Sequence, residues 1–222
     1  AYEIVSRDWS SDVCSSDLLE ARYDPAMARR IAVKPHLGFP QWRGETLSGR
    51  TIVVWPEQGF GDQVQFVRYL PLLKAAGARM VTLVCPDPLL PLLAGAAGID
   101  RLLPLSQAAD LPSHDFWVFM LSLPMHAGTT LGTIPAAVPY LAAEPARIAR
   151  WRSRLEALPG TLRVGLVWRG FGGHVNDVHR SLPELSCLAP LWDVQGVSFV
   201  SLQRGMDGER GSGTSSGLGI LD

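Results

Sequence analysis

The run Thr51-Ile52-Val53-Val54-Trp55 is apolar at every position after the first and rich in β-branched residues. Such a run reads as a strand buried on both faces, of the kind found in the middle of a parallel sheet. It breaks into a glycine-bearing turn, Gln58-Gly59-Phe60-Gly61-Asp62, after which apolar residues recur at helical spacing at Val64, Val67, Leu70 and Leu73. Strand, glycine turn and helix make the first half of a βαβ unit. In open α/β sheets, ligands bind at the turn that follows the carboxyl end of a strand.

Two readings stand for Asp62. It is a preferred residue for capping a helix, and its charge suits the helix dipole. It is also a carboxylate placed where a general base would take a proton from a substrate hydroxyl. Spacing alone favours the cap. Gly59 and Gly61 admit a ligand close to the backbone without naming it. Val64 stands where a dinucleotide fingerprint needs its third glycine, and no Gly-Lys-Ser/Thr follows for a Walker loop.

The same alternation continues. Met80–Cys85 reads as a second buried strand, residues 88–97 as a short helix, Ile99–Leu103 as a third strand and Phe116–Met120 as a fourth. Strands alternating with helical patterns predict a parallel sheet. Upstream, residues 19–33 carry a helical stripe, and residues 34–44 form a Pro/Gly-punctuated connector whose Phe39 and Trp42 are expected to pack on the domain that follows. Residues 122–140 form a long loop with three prolines, two glycines and several hydroxyls, and long loops inside compact domains are usually functional. Thr129 and Thr130 fit a helix cap or a sugar contact, and His126 fits a solvated loop.

A helix over residues 145–158, with Ile148, Trp151 and Leu155 as its apolar face, leads to a second copy of the opening pattern. Arg163–Trp168 reads as a buried strand, followed by Arg169-Gly170-Phe171-Gly172-Gly173. Then come His174, Asn176, Asp177, His179, Arg180 and Ser181, a helix to about Trp192, and a strand over Val197–Leu202. The polar run matches no standard metal spacing. A glycine turn with Arg180 and Ser181 suits an anion, against a solvated loop as the plain alternative.

Composition narrows the class. The chain has 222 residues, 47% of them hydrophobic, with 20 basic and 21 acidic side chains. That balance gives no push toward nucleic acid. No apolar run is long enough to span a bilayer, no leader pattern is visible, and the 3 cysteines show no ligand spacing. A cytoplasmic setting is the expectation. Residues 8–18 match the in-frame translation of a widely used sequencing-library adapter, so residues 1–18 are left out of the fold argument as foreign or disordered. Residues 205–219 are Gly/Ser/Thr-rich, and two strands alone cannot bury a sheet, so a truncated C-terminus is expected.

Several ordered motifs resemble one bacterial group. They are Pro40-Gln-Trp-Arg-Gly-Glu45, Glu57-Gln-Gly-Phe-Gly-Asp62, Gln65-Phe-Val-Arg-Tyr69, Leu121-Ser-Leu-Pro124, Gly128-Thr-Thr-Leu131, Thr133-Ile-Pro135, and Gly165-Leu-Val-Trp168 through Arg180-Ser181. The group is that of tetratricopeptide-repeat proteins ending in a glycosyltransferase domain. That domain is similar to glycosyltransferase family 9, the heptosyltransferases, and more distantly to O-linked N-acetylglucosamine transferases. The resemblance implies an α/β, GT-B-like architecture of two Rossmann-like domains facing across a cleft. Residues 48–143 would be the acceptor domain, 144–160 a linker helix, and 161–222 an incomplete donor domain. It implies a nucleotide-sugar donor, a glycan, lipid-linked or protein acceptor, and no metal or other cofactor. Asp62 would be the base, with Gln58, Gly59, Gly61, Thr129, Thr130, His174, Asn176, Arg180 and Ser181 holding substrate or donor. Repeats outside this chain would bind protein. Where the group reads Trp-Ser-Gly-Asn, this chain has Trp168-Arg169-Gly170-Phe171, and Val178 stands where the group usually carries Arg. On this reading the 222-residue chain alone is inactive. The alternative is a non-catalytic sugar- or nucleotide-binding module. An NAD-dependent oxidoreductase is disfavoured by the missing third glycine.

Overall fold

The computed structural model describes residues 34–170, 172 and 177–203. The chain divides into two compact units, Ala1–Glu144 and Pro145–Asp222. The expected helix over residues 19–33 lies outside the described residues.

The first unit is α/β. Its strands are β1 (Thr51–Trp55), β2 (Met80–Cys85), β3 (Arg101–Pro104) and β4 (Phe116–Phe119). They form one parallel sheet in the order β3-β2-β1-β4. The central position of β1 explains its composition: Ile52, Val53 and Val54 are fully buried. Successive side chains alternate between the two faces. Ile52, Val54, Val81, Leu83, Cys85 and Val118 join the larger core with Val67, Leu70, Leu73 and Leu93. Val53, Val84, Trp117 and Phe119 face the other way, against Leu37 and Phe39. Phe39 and Trp42 thus pack on the domain as expected. The connector also covers the β4 edge: the Trp42 N–H donates to the Trp117 carbonyl at 2.7 Å, and the Trp117 N–H to the Pro40 carbonyl at 3.0 Å. A paired edge is not open to other chains.

The helical stripe at Val64, Val67, Leu70 and Leu73 is real but broken. It runs as α1 (Phe60–Phe66), a 3-10 turn over Val67–Tyr69, and α2 (Leu70–Ala75). Pro71 sits in the first turn of α2. It brings no N–H, and its ring crowds the carbonyl four residues back, so one α-helix cannot run through it. The helix expected over residues 88–97 shrinks to a 3-10 turn and α3 (Leu90–Leu93), with Pro88 and Pro91 in the first turns and Gly95 just beyond.

At the amino ends of β1 and β4, Asp115 closes a reciprocal clasp. Its carboxylate accepts from the Thr51 N–H at 2.8 Å, the Thr51 hydroxyl at 2.9 Å and Arg50 at 2.9 Å. The Thr51 hydroxyl in turn accepts from the Asp115 N–H. These donors, Thr51 first and then Arg50, hold the Asp115 carboxyl down at about 2.

The second unit has α5 (Pro145–Glu156), which follows α4 (Leu123–His126) in the chain, and a parallel pair, β5 (Leu162–Leu166) with β6 (Val197–Ser201). Three expectations need correction. Residues 163–168 read as a buried strand, yet no residue of β5 is buried. An apolar run is buried only if neighbours cover it, and among the described residues β5 has a single partner strand. The apolar face of α5 is likewise no more than half-buried, with Ile148 exposed. The helix expected up to Trp192 is a 3-10 segment over Leu185–Asp193 with Pro190 inside it. Among the described residues no helix is long and apolar enough to cross a membrane, and no group of three or more His, Cys, Asp or Glu is placed to hold a metal ion.

Candidate functional site

Strand order fixes where a ligand site belongs. The chain runs β1, β2, β3 in one direction, then returns to add β4 on the other side of β1. The connection after β1 leads toward β2 on one side, while β4 flanks β1 on the other. The crevice outside their carboxyl ends is the topological switch point, the ligand site of open α/β sheets. The fold is compatible with a Rossmann-like domain. Two sequence-selected stretches lead away from there: residues 57–62 after β1 and the loop of residues 122–140 after β4, the latter entered through Leu121, which Glu57 holds.

The two exits are tied by Glu57. This buried carboxylate accepts from the Leu121 N–H at 3.0 Å. The Gln63 amide donates to the Glu57 carbonyl at 2.6 Å, while its own side-chain oxygen is buried with no hydrogen-bond partner among the described residues. Between them Gln58 adopts φ 63°, a left-handed conformation unusual outside glycine.

Asp62 is not the N-cap. Gly59 is, in extended conformation, and Asp62 is the third residue of α1. Its Oδ2 reaches back to accept from the Gly59 N–H at 2.9 Å. This is the return half of a capping box, satisfying a donor that a glycine cap leaves open. Asp62 is half-buried, and nothing among the described residues donates to Oδ1. Gln58, Gly59 and Gly61 are exposed beside it.

After β4 the chain makes a 3-10 turn over Met120–Ser122 and then α4. His126 closes α4. It is half-buried and tilted against Trp42 with ring centroids 4.5 Å apart, so it is not a solvated loop histidine. Glu45 lies in the same cluster. Its carboxyl is held below the usual range first by the Arg43 N–H and then by its own N–H; burial opposes this, and nearby His126 adds to it. Thr129 and Thr130 end a helix rather than start one. Gly128, at φ 56°, donates to the Met125 carbonyl, and the Thr129 N–H donates to the Pro124 carbonyl, which together make a Schellman stop. The Thr129 hydroxyl is buried without a partner among the described residues, while that of Thr130 pairs with Thr133.

Arg68 holds the rest of this loop. It donates to the Pro135 carbonyl at 3.2 Å and the Tyr140 hydroxyl at 2.9 Å, and its guanidinium lies 4.4 Å from the Tyr140 ring centre. Neither Arg68 nor Glu57 was singled out from sequence, although both stand inside the quoted motifs. A carboxylate two residues past a buried strand was the available signal for Glu57.

In the second unit, His174 and Asn176 lie outside the described residues. Arg180 is exposed and Ser181 half-buried. The Ser181 hydroxyl accepts from the Gly170 N–H at 2.7 Å and donates to Asp177 at 2.6 Å. It therefore shapes its own loop and keeps only spare acceptor capacity for a ligand. Arg180 and Ser181 belong to one unit, and Asp62 and the Thr129–Thr130 pair to the other.

Among curated proteins, the chain is similar to Protein FlbA of Caulobacter vibrioides, at 27% identity over 205 residues. The match covers 84% of this chain and 33% of FlbA, so the chain spans about a third of that relative's length. No family model and no solved structure matches the chain.

Proposed function

We propose that this chain serves glycosyl transfer from a nucleotide sugar to an acceptor hydroxyl, on a GT-B-like plan. The first unit would hold the acceptor and the second the donor diphosphate. The observation that carries the reading is Asp62: a carboxylate at the switch-point turn, steadied through one oxygen by the Gly59 N–H, with the other oxygen unpartnered among the described residues. The acceptor oxygen attacks the anomeric carbon and its proton passes to Asp62. A new carbon–oxygen bond forms as the bond to the diphosphate breaks, and the nucleoside diphosphate leaves with that electron pair. Arg180 meets the phosphate charge that develops.

The test is Asp62→Asn in a complete homologue that carries these motifs, with release of nucleoside diphosphate and donor affinity measured side by side. Loss of a general base lowers turnover by about a hundredfold or more, while donor affinity stays within twofold or so because the donor contacts lie elsewhere. Asn retains an oxygen that can accept from the Gly59 N–H, so a purely capping Asp62 would leave turnover unchanged. That result would strip Asp62 of the role and turn attention to His126. A second reading, a non-catalytic sugar- or nucleotide-binding module, is favoured by the capping bond that already occupies Oδ2. Donor binding by the complete homologue with no diphosphate release would select it.

A further inference from the structure

The second unit carries two arginines at the carboxyl end of its parallel pair. Beyond β5 the chain passes through Trp168, Arg169 and Gly170, and just beyond β6 stands Gln203. The Gln203 side-chain oxygen accepts from the N–H groups of Trp168, at 3.2 Å, and Arg169, at 3.0 Å. Its amide nitrogen donates to the Arg169 carbonyl at 3.2 Å. One side chain thus occupies both backbone polar groups of Arg169. The Leu182 N–H donates to the Trp168 carbonyl at 2.8 Å, and the Gly170 N–H to the Ser181 hydroxyl at 2.7 Å. These bonds draw residues 168–170 alongside residues 180–182 and place Arg169 and Arg180 on adjacent segments. A Cβ on Gly170 would stand 3.1 Å from the Asp177 carboxylate, so this close approach suits glycine.

Both guanidinium groups are exposed, and neither has an ion pair or hydrogen bond among the described residues. The nearby carboxylate, Asp177, accepts from the Ser181 hydroxyl rather than from either arginine. An exposed guanidinium with no protein partner keeps its N–H donors open to an external anion. Two of them on adjacent segments match an anion with two phosphoryl groups, each able to take a forked pair of N–H bonds.

We infer that Arg169 is a second diphosphate-holding residue beside Arg180, so that the second unit grips both phosphoryl groups of its ligand. This rests on the donor reading above and adds to it a residue that the resembling group does not carry.

The experiment is calorimetric titration of the whole chain with inorganic pyrophosphate and, separately, with orthophosphate. The variants are Arg169→Gln and Arg180→Gln. Wild-type protein should prefer pyrophosphate, and each substitution should weaken pyrophosphate binding roughly tenfold and erase the preference. Arg169→Gln should keep the wild-type unfolding midpoint, because Gln203 holds its backbone and not its side chain. Should Arg169→Gln bind pyrophosphate as wild type does while Arg180→Gln loses it, the inference fails and the donor reading stands. If the wild-type chain takes up no pyrophosphate, this inference and the assignment of the donor to the second unit fall together.

Discussion

Gly98 sets up a sharp test of the first unit. It lies between α3 and β3 with φ +84°, and a Cβ there would sit 2.5 Å from both the Leu70 carbonyl carbon and the Pro71 nitrogen, and 2.9 Å from the Leu70 oxygen. All three atoms are backbone, at the start of α2, so no side chain can swing aside. Gly98→Ala therefore pays twice. Left-handed backbone costs a non-glycine residue about 1–2 kcal/mol, and forcing the connector off α2 adds about 1–3 kcal/mol by the measure of overpacked cores. The expected loss is about 2–5 kcal/mol, a large share of the ~5–15 kcal/mol that holds a domain of this size together. Three residues earlier, Gly95 supplies the control. It has no positive φ, and a Cβ would meet nothing within 4 Å. Gly95→Ala should be neutral or stabilising by about 0.4–1 kcal/mol through the unfolded chain. Urea unfolding at unchanged slope measures both. If Gly98→Ala unfolds within about 0.5 kcal/mol of wild type, a shift typical of harmless surface changes, the close approach to α2 is wrong.

Three further outcomes follow from the same geometry. Because the Asp115 carboxyl is lowered to about 2 in the fold, the clasp contributes fully above the ordinary carboxyl value near 3.8 and is lost as pH falls through about 2. Asp115→Asn should flatten that part of the acid-stability curve, and an unaltered curve would discount the clasp. Arg68→Ala removes the two hydrogen bonds that reach Pro135 and Tyr140, the bond to the Gln65 carbonyl, and the ring contact with Tyr140. Amide exchange in residues 127–140 should quicken by about thirtyfold, equivalent to ~2 kcal/mol, with β1 and β2 unchanged; equal quickening everywhere would mean that Arg68 supports the whole unit instead. Burial, with Asp87 adding to it, pushes the Cys85 thiol up to about 11, whereas Cys187 is exposed. A thiol reagent at neutral pH should label Cys187 in the native protein and Cys85 only on unfolding.

The sheet was legible where composition and burial coincide. β1 and β2 sit inside the sheet, and their limits match the apolar runs residue for residue. β5 has the same kind of composition and is exposed, because a run of apolar residues states what a strand can tolerate and not how many neighbours cover it. The site was legible only in its local half. Gly59, Gly61 and Asp62 stand together in sequence, so their turn could be read directly. The partners that assemble the rest are remote: Glu57 meets Leu121 across 64 positions, and Arg68 meets Pro135 and Tyr140 across 67 and 72. No local period encodes such pairs. The capping role of Asp62 was misplaced by three residues for a related reason. Which residue caps a helix depends on where the backbone turns helical, and here that is after an extended Gly59.

The turn after β1 also changes what its glycines mean. Glycine is usually credited with permitting left-handed backbone, yet here the left-handed residue is Gln58. Gly59 has φ −84°, which any residue adopts, and Gly61 is not among the positive-φ glycines. A Cβ at Gly61 would meet nothing within 4 Å, and one at Gly59 would meet only the Asp62 carboxylate, at an ordinary 3.5 Å. Neither glycine is needed to avoid a clash inside the protein or to make the bend. What both supply is a bare backbone on either side of Phe60, next to the carboxylate that Gly59 steadies. Protein stability gains nothing from leaving that space open, since glycine in the first turn of a helix costs backbone entropy. Under the proposed glycosyl-transfer reading, that open backbone is where the acceptor would approach, with the left-handed Gln58 and the buried Glu57–Leu121 tie fixing the turn.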